Sequence, residues 1–291
     1  MMDLLPFSLV IASAVSHASW NLLAKQCSDK EVFLWWTTFT SLFTLLPLFY
    51  LILPDWCLPP AAVPYLLASG VAETLYFLSL GRAYELGDLS VVYPLARSSP
   101  LFLFILAVVF LGEEVSKWGA LGILLVVLGV YTLHLRGLSS TEFLTPLTSL
   151  RGRASQLALL TAFWTSLYSL IDKMGVMAVD PLQYAFWLDF FIAAFLTPVV
   201  LLRRGWSATV SEWRRSSLRV LVSGFLMRFG YVLVLLAMSL TQVSYILAVR
   251  QLSVVIGAAL GVGLLGEKYG GVRLLGSLII FMGVLILGTM T

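Results

Sequence analysis

Ten apolar runs follow one another along the chain with short polar breaks between them, at residues 4–24, 32–53, 62–84, 89–111, 117–135, 154–177, 182–202, 217–238, 242–265 and 271–290. A helix that crosses the hydrocarbon core of a bilayer needs roughly 20 such residues. The runs are continuous and do not alternate, which predicts helices rather than barrel strands. The first run does not read as a removable leader. His17 and Asn21 interrupt it, and its head carries Asp3 and no basic residue.

The runs also repeat. Residues 67–135 align on 221–289 at a constant shift of 154. Ser69 and Gly70 fall on Ser223 and Gly224, Ala83 on Ala237, Ser90 on Ser244, and the pair Gly112-Glu113 on Gly266-Glu267. Earlier in the halves the shift is smaller, and Trp20 matches Tyr168, Lys25 matches Lys173, Trp36 matches Trp187 and Pro47 matches Pro198. Each copy holds five spans, so the second enters the membrane from the opposite side to the first. Inverted repeats of this kind build many secondary transporters. The sequence therefore predicts an all-α integral membrane protein, with ten transmembrane helices arranged as two inverted five-helix repeats around a central cavity. The first repeat covers 1–145 and the second 146–291, as one membrane domain. The joining stretch holds Ser139, Ser140, Thr141 and Pro146, a linker composition.

Composition leaves no room for a soluble domain. The chain is 60% hydrophobic and 11% charged, with a mean hydropathy of +0.97, where a soluble domain carries about 25% charge. Loop charge sets an orientation. With the N-terminus outside, 13 of the 18 Lys and Arg residues fall in cytoplasmic loops and only Lys117 and Lys173 on the other face. The positive-inside rule then places both termini outside. The arginines between 203 and 219 flank Trp206 and Trp213, which suits a segment at headgroup level and not a nucleic-acid surface. Cys27 and Cys57 lie at opposite ends of span 2, too far apart for a disulfide and on opposite membrane faces, both open to thiol reagents. Two cysteines and two histidines so placed offer no metal cluster. No Walker-type phosphate loop is present, and no cofactor is predicted.

The polar residues inside the spans carry the chemistry. An ionisable group at the centre of a spanning helix costs at least about 2.5 kcal/mol, so it faces an interior cavity and has a partner. Glu73, Asp189 and Arg228 lie near span midpoints; Arg97, Asp172 and Arg250 lie nearer the ends. Helical spacing sorts them into faces. His17, Trp20, Asn21 and Ala24 form one stripe in span 1, and Thr165, Tyr168, Ser169 and Asp172 form the matching stripe in span 6. Glu73 shares a face with Tyr76 and Phe77, Arg228 with Tyr231, and Tyr93 and Pro94 with Arg97. Ser244, Ala248 and Gln251 line up in span 9. Simpler roles compete with a transport site. The central charges could lock helices together, Asp172 and Lys173 could form a pair facing headgroups, and Gly257 and Gly261 read most simply as helix packing.

The segment from His17 through Asn21, followed by Lys25, resembles the opening helix of EamA-type members of the drug/metabolite transporter superfamily. The five-plus-five duplication and the two Gly-Glu pairs agree with it. The resemblance implies a fold in which spans 1, 3, 4, 6, 8 and 9 surround the cavity, 2 and 7 flank it, and 5 and 10 are peripheral. It also implies cytoplasmic termini, against the charge count.

Together these features point to a secondary transporter, not an enzyme, in a bacterial inner membrane. It moves a small zwitterionic or anionic metabolite by alternating access. The predicted substrate site comprises Trp20, Asn21, Glu73, Tyr76, Tyr93, Arg97, Tyr168, Arg228, Tyr231 and Gln251, with His17 or Glu73 carrying a coupling proton and Arg228 facing Glu73. A flippase for a lipid-linked substrate and a multidrug or metabolite exporter are the alternatives. Expected partners are the solute, the lipid bilayer and a second copy through the peripheral helices, with no nucleic acid. The charge count makes a direct prediction: a C-terminal fusion to a reporter active only in the cytoplasm stays silent, and strong activity would invert the topology.

Overall fold

A computed structural model describes residues 3–25, 27, 29–53, 55–87, 89–135, 139, 141, 144, 148–265 and 270–290. The second Gly-Glu pair at 266–267, Arg136, Ser140, Pro146 and Lys268 lie outside the described residues, as do the side chains of Lys25, Ser90, Pro94 and Gly261. No strand occurs among the described residues.

The helices are α1 (Leu4–Lys25), α2 (Lys30–Thr44), α3 (Leu46–Ile52), α4 (Val63–Leu86), α5 (Leu89–Ala96), α6 (Ser99–Leu111), α7 (Lys117–Leu133), α8 (Arg153–Ala178), α9 (Pro181–Leu240), α10 (Val243–Arg250), α11 (Leu252–Leu265) and α12 (Gly271–Thr289). Local chemistry sets their ends. The Asp29 carboxylate accepts from the backbone N–H groups of Glu31 and Val32 at the start of α2. Asp180 does the same for Leu182 and Gln183, with Pro181 in the first turn of α9. Pro47 divides α2 from α3. Gly112 closes α6 at φ 66°, a left-handed conformation that glycine adopts without strain. The α9 run of 60 residues is interrupted at Gly205, φ 77°, and again at Ser216.

Among the described residues, 7 helical stretches are long and apolar enough to cross a membrane, with the interrupted α9 counted once. Two shorter apolar helices, Ser99–Leu111 and Lys117–Leu133, accompany them.

The largest helix contacts all run between the two halves of the chain: α7 on α12, α2 on α9, α4 on α8, and α1 on α9. Trp35 Nε1 donates to Thr197 Oγ1 at 2.9 Å, which ties α2 to the first part of α9. Ser16 Oγ donates to the Leu226 carbonyl at 2.7 Å, which ties α1 to its last part. The halves thus interleave, and their shared interior contains both the apolar core and the polar site described below.

Two readings of small residues change. Among the described residues, nothing lies within 4 Å of where a Cβ on Gly257 would stand, so it makes no close packing contact with them. The close approach belongs to α7 and α12. A Cβ on Gly129 would lie 2.6 Å from the Ile280 backbone nitrogen, and one on Gly122 would lie 2.7 Å from the Leu287 side chain. Small residues there let two backbones touch, the usual way helices associate in lipid. Cys27 also departs from expectation. Both cysteines are unpaired, but Cys27 is buried against Phe33 and Val220, and burial pushes its thiol up from the ordinary value. Only Cys57 is exposed, so fast labelling is expected there alone.

The α7–α12 contact makes a stability prediction. Gly129→Leu lowers the melting temperature in detergent, with a loss on the order of 1–3 kcal/mol from overpacking. Gly257→Ala, which meets open space, leaves it unchanged or slightly raised.

Candidate functional site

The polar stripe of α1 faces the middle of the bundle. The His17 ring lies between two guanidiniums. Arg97 Nη1 and Nη2 stand 3.4 and 3.5 Å from Nε2, and Arg250 Nη2 stands 3.3 Å from Nδ1. Arginine only donates, and a neutral imidazole has one acceptor nitrogen, so either the Arg97 contacts at Nε2 or the Arg250 contact at Nδ1 is hydrogen-bonded at a time, not both. Trp20 meets the ring edge-on, with centroids 5.1 Å apart.

Both arginines sit at helix interruptions. α5 ends just before Arg97, and α10 ends at Arg250. At the repeat shift of 154, Arg97 falls on Gln251, so the two breaks are equivalent. A break frees backbone carbonyls and N–H groups, and the membrane tolerates that only where protein or a cavity surrounds them. A cavity of about 40 Å³ lies between the breaks. It is lined by His17, Tyr76, Arg97, Tyr168, Arg250 and Gln251, with the hydroxyl residues Ser99, Thr161 and Thr165, and by no acidic side chain among the described residues. Arg250 Nε and Gln251 Oε1 are buried without a hydrogen-bond partner among the described residues. Tyr76 and Tyr168 meet edge to face at 5.9 Å and form one wall.

The other predicted residues are placed differently. Arg228, 2% exposed, forms an ion pair with Asp189, Nη1 to Oδ1 at 2.8 Å, and lies over the Phe49 ring. Ser41 Oγ donates to the other Asp189 oxygen at 2.6 Å. The direct partner of Arg228 is therefore Asp189 and not Glu73. Glu73 lies in the combined field of Asp172, Asp189, Arg250 and Arg228. The Tyr231 hydroxyl donates to Asp172, while its ring lies under the Arg250 guanidinium at 5.5 Å. Tyr93 stacks on His134 at 4.3 Å and carries the Arg97 guanidinium over its ring at 5.2 Å. The Asn21 side chain donates to the His17 carbonyl of its own helix.

Three residues here were not in the predicted set. Arg250 was read as a buried charge without a place in the site; its position one residue from the Gln251 partner of Arg97 was the available signal. Tyr184, whose hydroxyl donates to Asp172 at 2.7 Å, begins a helix and had no visible partner in sequence. His134 sits at the end of a peripheral span. Asp172 and Lys173 do not pair at the headgroups. Asp172 is fully buried, and Lys173 Nζ donates to the carbonyls of Met238 and Thr241 at the end of α9.

On the face where α6 meets α7, Glu113 reaches across to the second half. Its carboxylate accepts from the Val243 backbone N–H at 2.7 Å and from Ser244 Oγ at 2.5 Å, capping α10. A carboxylate at a helix N-terminus satisfies free N–H groups and complements the helix dipole.

The sequence model of the EamA-like transporter family matches residues 4–135 and again residues 153–289. The chain belongs to the EamA-like transporter family. Its members are membrane transporters of the drug/metabolite type, and the two matches fall on the two halves that the repeat defines. A solved crystal structure, described only as that of a protein, has this fold as well. It superposes with a TM-score of 0.75 over 97% of this chain and 95% of its own, at 14% identity. No curated protein matches the chain. In this EamA-like protein the convergence of Arg97 and Arg250 therefore lies at the meeting of the two family repeats.

The Arg228–Asp189 pair can be separated from the cavity by experiment. Removing one partner of a fully buried pair costs about 3–5 kcal/mol, and removing both recovers much of it. Arg228→Met and Asp189→Asn each lower the melting temperature, and the double variant regains most of the loss. A double variant as unstable as the singles would mean that Arg228 has another essential partner.

Proposed function

We propose that the protein is a ten-span secondary transporter with inverted repeats, moving a small anionic or zwitterionic solute by alternating access. One observation carries this reading: two guanidiniums, one from each repeat, converge on a single cavity whose described lining residues include no acidic side chain. Arginine forks hold carboxylate or phosphate groups with paired, charge-assisted hydrogen bonds. The tyrosines supply a flat wall for the rest of the solute. Equivalent discontinuous helices in two repeats are where such carriers place their substrate.

The ten spans follow if the α9 run is read as two crossings joined by the segment between Gly205 and Ser216, and if the paired helices α2–α3, α5–α6 and α10–α11 each make one crossing. At about 40 Å³ the cavity has room for only a few water molecules. Loading a metabolite therefore requires the walls to part on one side. His17, held between two guanidiniums, serves as the spacer that keeps both turned to the cavity. The outer faces of α7 and α12 carry exposed Leu124, Leu278 and Phe281, where a second copy could pack in the membrane. The location that fits this reading is the bacterial inner membrane.

Flux into liposomes tests the reading, using labelled amino acids, small carboxylates and phosphate esters against cationic amines. An anionic or zwitterionic solute is carried. Arg250→Met weakens its half-saturation about 10–100-fold, the worth of one or two charged hydrogen bonds. Transport of cations alone, unaffected by Arg97→Met and Arg250→Met, would sink the proposal.

A further inference from the structure

Asp172 is fully buried, and both of its oxygens accept from tyrosines. Oδ1 takes the Tyr184 hydroxyl at 2.7 Å, and Oδ2 takes that of Tyr231. Lys173, next in the chain, donates instead to the carbonyls of Met238 and Thr241. An ionisable side chain inside a spanning helix is costly to keep, so its contacts indicate what it is for.

The two tyrosines lead to different places. Tyr184 lies in the first turn of α9, and its ring fills the space left by Gly175, one turn beyond Asp172. A Cβ at Gly175 would collide with that ring. This branch packs α8 against the first arm of α9. Tyr231 leads to the cavity. Its ring carries the Arg250 guanidinium, with Cζ 5.5 Å from the ring centroid. Arg250 lines the cavity, and its Nη2 stands 3.3 Å from His17 Nδ1. Its Nε is buried without a hydrogen-bond partner among the described residues. The rings of Tyr231 and His17 thus locate this guanidinium. Neither Asp172 nor Tyr231 lines the cavity itself.

The bond from Tyr231 to Asp172 acts on Arg250 in two ways. A hydroxyl that donates to a carboxylate leaves electron density on its ring, and an electron-rich ring face attracts a guanidinium more strongly. The carboxylate also fixes the ring, which would otherwise be free to turn about its side-chain torsions. An arginine fork grips an oxyanion with two bonds only where its plane is set.

We propose that Asp172 is a positioning residue for the anion site. Through Tyr231 it holds the Arg250 guanidinium in the orientation that grips an anionic group, without touching the solute. This rests on the anion reading above.

Sulfate is the probe, a tetrahedral oxyanion that a fork can hold with two bonds. Its binding to the purified full chain in nanodiscs is followed by tryptophan fluorescence, Trp20 lying against His17. Asp172→Asn keeps an acceptor for Tyr231 and removes the charge. Tyr231→Phe keeps the ring and removes its hydroxyl. Each weakens sulfate binding about 2–30-fold, the worth of one cation–π contact. Combined, they weaken it no more than the stronger of the two, since both cut one chain of contacts. In an Arg97→Met background the Asp172→Asn factor persists. In Arg250→Met it falls below about 2-fold, because the guanidinium that Asp172 serves is gone. A role confined to packing would weaken binding by one factor in both backgrounds. That result, or unchanged binding in Asp172→Asn and Tyr231→Phe, overturns the proposal and leaves the anion reading in place. Should Asp172→Asn fail to fold, Tyr231→Phe carries the same comparison. Sulfate binding that is absent, or indifferent to Arg97→Met and Arg250→Met, would instead remove the anion reading and this inference with it.

Discussion

A guanidinium taken out of water costs several kcal/mol unless a partner meets it, and three guanidiniums set the interior of this bundle. Arg228 is met by a carboxylate on the same interrupted helix, with Ser41 of α2 holding that carboxylate from the other side. Arg97 and Arg250 meet on either side of one ring, that of His17. The difference matters more than the count. The first arrangement joins α2 to both arms of α9, and the second brings a guanidinium from each repeat to one ring.

Much of this was written in the periodicity. The stripe from His17 to Ala24 and its match from Thr165 to Asp172 marked the inward faces of α1 and α8, and His17, Thr165 and Tyr168 do line the cavity. The repeat shift aligned Arg97 with Gln251, and both are there. What periodicity could not give was rotation and depth across helices. Tyr231 shares a helix face with Arg228, yet its hydroxyl goes to Asp172 on α8 and its ring to Arg250 on α10. Arg228 and Glu73 both sit near span centres, but Asp189 lies closer. A one-residue offset hid Arg250, because the alignment sets it against Ala96, a residue with no charge to notice. Gly257 and Gly261 carried the expected small-residue spacing, while the tight backbone approach was made by α7 and α12.

The two ends of the bundle are closed by different chemistry. Where α6 meets α7, Glu113 caps α10 and Gln242 donates to the Glu114 carbonyl, so the first repeat holds the start of the second repeat's broken helix. At the opposite end Arg203 and Arg204 reach Glu31, and Arg204 also reaches Glu85. These residues are partly exposed, and each such pair contributes at most about 1 kcal/mol. The Glu113 cap is the more specific of the two. It satisfies backbone N–H groups that would otherwise lack partners, and opening that face exposes them again.

The placement of the arginines bears on how opening at one end could be linked to closing at the other. A ligand shifts a conformational equilibrium only by its difference in affinity between the two states. A site built wholly within one repeat would move with that repeat and sense little of the other. Here one guanidinium stands at the break of α5 and α6, and the other at the break of α10 and α11. Any movement of one repeat against the other would change the distance between them. On the anion reading proposed above, a solute that bridges both guanidiniums holds best where the two forks match its anionic group and less well where they stand apart, so its binding free energy depends on how the repeats sit.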